Sequence, residues 1–296
     1  MSAGPYADAA GLVERSAAAY ASAVPDRPGD GGYFGPASVT WRVSGDLSAP
    51  VAGLRSLLMQ ALHPLAMAGV DQHSAWRRDP VGRLAATSAY TATVTYGDRA
   101  GADRAAHRVR AIHEHVRGVD AVTGLPYAAG DLPLLLWVHA ALVDSALAAI
   151  DLFGTPLGEA EADRYVAEMA VAATLLGVPD EMVPATVAAL GRYVADTRPY
   201  LRCTPAAAES MSYLLDPPGL DEEIAELWQD IRDAAVAALP DWARDMYGYP
   251  APATLNPLTP TRRTEIRQTL GVLDAVFLAE PGVLEARQRI SARMRG

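Results

Sequence analysis

The segment Val109–Gly118, VRAIHEHVRG, places two of the chain's six histidines and two arginines within ten residues. Read as a helix, it sets Arg110, His113 and Arg117 at i, i+3 and i+7 on one face, because residues three and four apart are neighbours there. A neutral imidazole is a good ligand for iron. Guanidinium groups one turn above and below it suit the two propionates at one edge of a haem, since arginine pairs carboxylates in a fork. The same spacing also describes a solvated face of an arginine-rich helix, and the residues alone leave both readings open. Glu114 and His115 point away from this stripe.

A second set lies in Asp71–Tyr90, DQHSAWRRDPVGRLAATSAY, where Arg83, Thr87 and Tyr90 stand at i, i+4 and i+7. A threonine hydroxyl beside bound dioxygen can relay a proton, and an arginine can stabilise the negative charge that develops on it. The plainer reading is a polar stripe that caps a neighbouring backbone. His63 and His139 each sit singly in an apolar helical pattern, where a hydrogen-bonded core histidine is the commoner role. HExxH, GxGxxG after a strand, GxxxxGK[ST], GxSxG and the paired ExxH of di-iron sites are all missing, which sets aside those enzyme classes. The acids of EAEADRYVAEMA have no histidine near them and read as a solvated face.

Helical periodicity dominates the elements that must carry these residues. Pro50 opens a helix through Leu62, and Pro64 kinks or restarts it. Pro80 opens another that Gly97 stops. A third runs from about Ala102 to Arg117, with Val109, Ile112 and Val116 on its apolar side and Gly118 as its stop. Asp131 caps Leu132–Phe153, and further helices fit Glu159–Leu176, Pro184–Asp196, Pro205–Leu215, Asp221–Leu239, Thr261–Ala279 and Gly282–Arg295. Strand-like alternation is confined to SVTWRV (Ser38–Val43) and TATVTY (Thr91–Tyr96). The expected fold is all-α, a single globular domain of about ten helices. Residues 1–32 form an N-terminal helix and linker, 33–250 the main domain, and 251–296 C-terminal helices packed on it.

Composition narrows the partners. The 296-residue chain is half hydrophobic with a net charge of −10, which argues against nucleic acid or an anionic membrane surface as the main partner. All 25 cationic side chains are arginine, so a Schiff-base or phosphate-loop lysine is excluded. Cys203 stands alone, which rules out an internal disulfide and a multi-cysteine metal site. Leu132–Phe153 is long enough to span a bilayer, but His139 and Asp144 within it are costly in lipid, so it reads as a buried core helix and no stable membrane insertion is expected. A signal peptide is not evident at the N-terminus, which points to a cytoplasmic protein.

Six pieces in order, YFGPASVTWRV, LLMQALHPLAMAGV, HSAWRRDPVGRLAATSAY, VRAIHEHVRG, LPYAAGDLPLLLWVHAALVDS and DRYVAEMA, resemble the family that unites the bacterial rubber oxygenase (latex-clearing protein) with the fungal mycophenolate-pathway oxygenase MpaB. The resemblance runs from about Tyr33 to Tyr249. It implies an all-α fold with a globin-like core, a b-type haem, and oxidative attack on unsaturated apolar substrates. By residue, His113 matches the proximal haem ligand, Arg110 and Arg117 the arginines flanking it, and Arg83 and Thr87 the distal-side arginine and threonine. Rubber oxygenases carry a lysine directly before that threonine. Here the position is Ala86, which leaves water, His63 or nothing as the distal iron ligand and puts rubber cleavage in doubt.

The expectation is therefore a haem b-dependent oxygenase or oxidase acting on a small, mainly apolar substrate with dioxygen, with a homodimer left open. The rivals are a haem carrier or sensor without turnover, and a cofactor-free helical interaction protein of the same fold.

Overall fold

Residues 10–24, 32–217, 222–249 and 259–295 are described by a computed structural model. They form, in chain order, α1 (Ala10–Ala23), α2 (Val39–Ser44), α3 (Ala49–Ala61), α4 (Pro64–His73), α5 (Pro80–Tyr96), α6 (Arg99–His113), β1 (Arg117–Val119), β2 (Pro126–Ala128), α7 (Leu132–Phe153), α8 (Glu159–Thr174), α9 (Val187–Thr197), α10 (Pro205–Leu215), α11 (Glu222–Ala238), α12 (Asp241–Met246), α13 (Pro260–Ala279) and α14 (Val283–Arg295). Among the described residues this is one all-α domain with a single two-stranded antiparallel hairpin. The surplus over about ten helices comes from the six-residue α2 and α12 and from a clean restart at Pro64. The proline cannot donate to the preceding turn, and α3 ends at Ala61. The expected start of α11 at Asp221 lies outside the described residues.

The most apolar segment forms the centre. Helix α7 packs against α3, α8, α9, α11 and α13. It buries Trp137, Val143, Ile150 and Phe153, while Ala140, Ala141 and Ala149 let neighbouring helices approach closely. Two thirds of its most apolar window is covered by protein, which is how a core helix differs from a membrane span of the same length. Its one awkward charge, Asp144, is met by Arg55 of α3 at 2.8 Å. Arg55 is 3% exposed; its Nε donates to the Ala238 carbonyl at 2.8 Å and its Nη1 to Ser145 Oγ at 2.7 Å. One guanidinium thus ties α3, α7 and α11 together, each of its three nitrogens having a partner.

Both strand-like segments are helical. SVTWRV becomes α2, opened by the Ser38 hydroxyl accepting from the Trp41 amide, and TATVTY closes α5. Tertiary packing overrides the weak β preference: Trp41 and Tyr96 meet edge to face at 5.2 Å inside a buried cluster with Val24 and Ile290. At the chain's ends, α1 lies along α5, α13 packs on α11 and α7, and α14 packs on α1 and α13.

The third expected helix needs correction. It ends at His113, not Arg117. The chain turns through Glu114–Val116 and enters β1, where Arg117 pairs with Ala128 and Val119 with Pro126. Gly118 is not a helix stop but a close-approach position: a Cβ there would come within 2.8 Å of both Gln72 Oε1 and Tyr127 Oη. Ile112, expected on the apolar side, is 63% exposed, whereas Val116 packs with Ala68, Tyr127 and Leu134 beneath the hairpin.

Candidate functional site

Helices α5 and α6 form an antiparallel pair around Gly97 and Asp98. The Asp98 carboxylate caps α6 by accepting from the Gly101 amide at 2.6 Å. The pair is packed at its closed end, where Ala92, Val94, Tyr96, Ala102, Ala105 and Ala106 are buried. It is accessible at its open end: Arg83, Ala86, Arg110 and Ile112 are exposed, and Thr87, Tyr90 and His113 are half-buried. The small buried alanines lie near the turn and the larger polar residues toward the open end.

That antiparallel course brings the first turn of α5 beside the last turn of α6, and so Arg83 to His113. The His113 imidazole is held below its ordinary pKa, first by burial and then by the positive charge of Arg83. Burial also lowers the Arg83 pKa, although water reaches much of its side chain. His113 is thus neutral near pH 7, the form in which imidazole can donate a lone pair.

Two further groups share the α5 face. Thr87 Oγ1 donates to the Arg83 carbonyl at 3.0 Å, so its lone pairs remain for a donor, and its hydrogen becomes available only when the hydroxyl rotates off that carbonyl. The Tyr90 hydroxyl is buried without a hydrogen-bond partner. Burial pushes it up to about 12, partly offset by the charge of Arg110. The i+7 step from Arg83 places Tyr90 on the same face of the helix.

The arginines flanking His113 do not stack as one helical stripe. Arg110 stays on α6 and donates to the Leu175 carbonyl at the C-terminal end of α8, where the helix dipole favours a cation. Arg117 has left the helix for β1 and donates to the Glu114 carbonyl. The i+7 relation fails because the β1–β2 ladder captures the chain four residues earlier than helical periodicity suggests.

His63 is not brought to this place. It occupies the N-cap position of α4, is buried, and lies 6.4 Å from Trp137, centroid to centroid. Its Nδ1 has no partner and burial lowers its pKa. Among the described residues, no hydrogen bond or charge interaction joins it to Arg83, Thr87 or His113. His139, on α7, is pushed down to about 4 by burial and belongs to the core. A cleft of about 520 Å³ between α10 and α11, bordered by Met211, Tyr213, Leu215, Arg232 and Tyr249, contains none of the candidate residues.

Over residues 41–275 the chain matches the family described as "ER-bound oxygenase mpaB/B'/Rubber oxygenase, catalytic domain". No curated protein and no solved structure matches it. The matched span starts within α2, ends within α13 and includes the whole α5–α6 pair with Arg83, Thr87, Arg110 and His113. It covers well over half of the 296 residues, and the protein therefore belongs to the mpaB/rubber oxygenase family and is an oxygenase, an oxidoreductase enzyme.

Proposed function

We propose that this oxygenase is haem b-dependent and oxidises a small, mainly apolar substrate with dioxygen at the open end of the α5–α6 pair. The observation that supports the reading is the meeting of His113, in the last turn of α6, with Arg83, in the first turn of α5, which together with burial favours the neutral imidazole. The donor set fits the group. Among the described residues, no three histidine, cysteine or carboxylate side chains converge on a point. A single imidazole would hold iron poorly by itself, but His113 would suffice to hold a macrocycle whose iron is already bound by four nitrogens of its own.

When bound, the haem supplies the iron at which dioxygen is activated. His113 would donate a ring-nitrogen lone pair, and its lowered pKa favours the form in which that lone pair carries no proton. Arg83 holds a positive charge where negative charge develops. Thr87 moves a proton by rotating off the Arg83 carbonyl. Ala86 offers only a methyl group beside Thr87, so that position leaves room for a small ligand. Arg110, with donors beyond the one given to Leu175, pairs with a carboxylate at the edge of the site.

The test is the visible absorption of protein expressed with a haem precursor. The expected result is a Soret band that disappears in His113→Ala while helical circular dichroism is kept, because His113 is the last residue of its helix and half-exposed. An unchanged Soret band in that variant would overturn the assignment.

A further inference from the structure

The connection from α4 to α5, residues 74–79, is fastened by one arginine. Arg77 Nε donates to Glu209 Oε1 at 2.8 Å and its Nη2 to Glu209 Oε2 at 2.6 Å, a two-point fork onto α10. The same Nη2 stands 2.6 Å from Asp71 Oδ1 on α4. That second contact is a pairing of charges, since this oxygen accepts no well-aligned hydrogen bond. The guanidinium also lies 4.3 Å over the ring of Trp76, which is buried and meets Tyr213 of α10 edge to face at 5.6 Å. Isolated surface ion pairs hold little, but a fork that serves two carboxylates and stacks on a buried ring is not isolated. Ser74 Oγ and Trp76 Nε1 are buried in the same connection without a hydrogen-bond partner, so neither is a rival polar anchor.

This fastening controls the first turn of α5. Pro80 starts the helix, and the Asp79 carboxylate caps it by accepting from the Gly82 amide at 2.9 Å, so the connection sets where the helix begins. Packing is thinner at that end: of residues 82–91 only Ala85 is buried, whereas Ala92, Val94, Thr95 and Tyr96 are buried near the turn. Helix α1 lies along α5, and its Arg15 reaches Asp79 at 3.4 Å, with both side chains about half exposed. Arg83 stands thirteen residues before Tyr96. That is about 20 Å along the axis, so a tilt of about 5° about the packed end carries Arg83 by about 2 Å. Misplacing a reacting group by about 1 Å can cost about a hundredfold in rate.

We propose that Arg77 is a positioning residue: by clamping residues 74–79 onto Glu209 of α10 and Asp71 of α4, it fixes the tilt of α5 and with it the place of Arg83 beside His113. It acts through Arg83 and not on the reacting atoms. The value of that placement to the reaction rests on the proposed function, whereas the placement itself needs no cofactor.

The experiment is a distance measurement by double electron–electron resonance between spin labels at Ala86→Cys and Ile112→Cys in the full chain, with Cys203→Ser to remove the other thiol. Both label sites are exposed, one on α5 near Arg83 and one beside His113. A single narrow distance is expected with Arg77 present. Arg77→Gln and Glu209→Gln should each lose it to a broad distribution. The double variant R77Q/E209Q should be no broader than either, because both break one contact. Arg77→Lys, which keeps the charge without the fork, should recover part of the narrow distance. Arg42→Gln breaks a similarly exposed ion pair with Glu161 at 2.8 Å and should leave it intact. The proposal is overturned if the narrow distance survives in both R77Q and E209Q, even where the thermal midpoint falls, because Arg77 would then only add stability. It is equally overturned if R42Q broadens the distance as much. A broadened distance in R77Q with no Soret band in the parent protein would sink the haem reading alone; an unbroadened one with a normal Soret band would sink this proposal alone.

Discussion

Arg83, in the first turn of α5, sets its positive charge against the His113 imidazole in the last turn of α6, thirty positions later in the chain. The two meet because Gly97 and Asp98 fold one helix back along the other. Removing that charge while keeping the bulk, as in Arg83→Met, should raise the His113 pKa. The rise should be partial, because burial is the larger cause of the depression. Imidazole proton shifts followed by NMR across pH check this without any cofactor, and an unmoved titration would mean that the two groups do not interact.

The two arginines flanking His113 should now differ in importance. Arg110 shares the helix of His113 and acts on the buried Tyr90 hydroxyl, whereas Arg117 belongs to the hairpin. Arg110→Ala should speed haem transfer to apomyoglobin by roughly tenfold, the order expected for one charge-assisted hydrogen bond. Arg117→Ala should change it much less. Equal effects would restore the arrangement in which both arginines clamp the haem.

Loss of the Arg55 guanidinium should be among the most destabilising single changes outside the site. Arg55→Met leaves Asp144 without its partner and the Ala238 carbonyl without a donor. Stranding half of a buried ion pair costs about 3–5 kcal/mol. The lower end applies, since the Asp144 side chain keeps 30% exposure and water can still reach it. Denaturant unfolding measures the loss, and Asp144→Asn in the same background should recover part of it.

His139 makes stability depend on acid. Its folded pKa of about 4 lies below the value near 6.5 of an unfolded histidine, so between those pH values the unfolded chain binds the extra proton. Stability from this group is therefore complete above about pH 6.5 and is lost progressively as pH falls to about 4, by about 3 kcal/mol in all. His139→Leu should remove that portion of the pH dependence. Unfolding curves at neutral and mildly acidic pH, compared between the two proteins, give the difference directly.

Long helices were legible because their periodicity runs over many residues: α7, α8, α10 and α13 begin and end within about two positions of the expected bounds. The local failure came where a short non-local pairing competed with a good helical pattern. Val109, Ile112 and Val116 look like one apolar stripe, yet the ladder to Pro126–Ala128 ends the helix at His113, turns Val116 under the hairpin and leaves Ile112 in water. Three-residue strands carry too little alternation to announce themselves. At the site, Arg83, Thr87 and His113 were named from their types and spacing. The distal role open to His63 drew no support from the fold, because the break at Pro64 turns His63 toward Trp137 instead.

The α5–α6 pair is buried near its turn and exposed toward its open end. Backbone amides of Ala102–Ala106 should exchange with deuterated solvent far more slowly than those of Arg108–His113, although all belong to one unbroken helix. A haem held there as proposed should level that gradient, so that protection along α6 alone would report its binding even with the overall helical content unchanged.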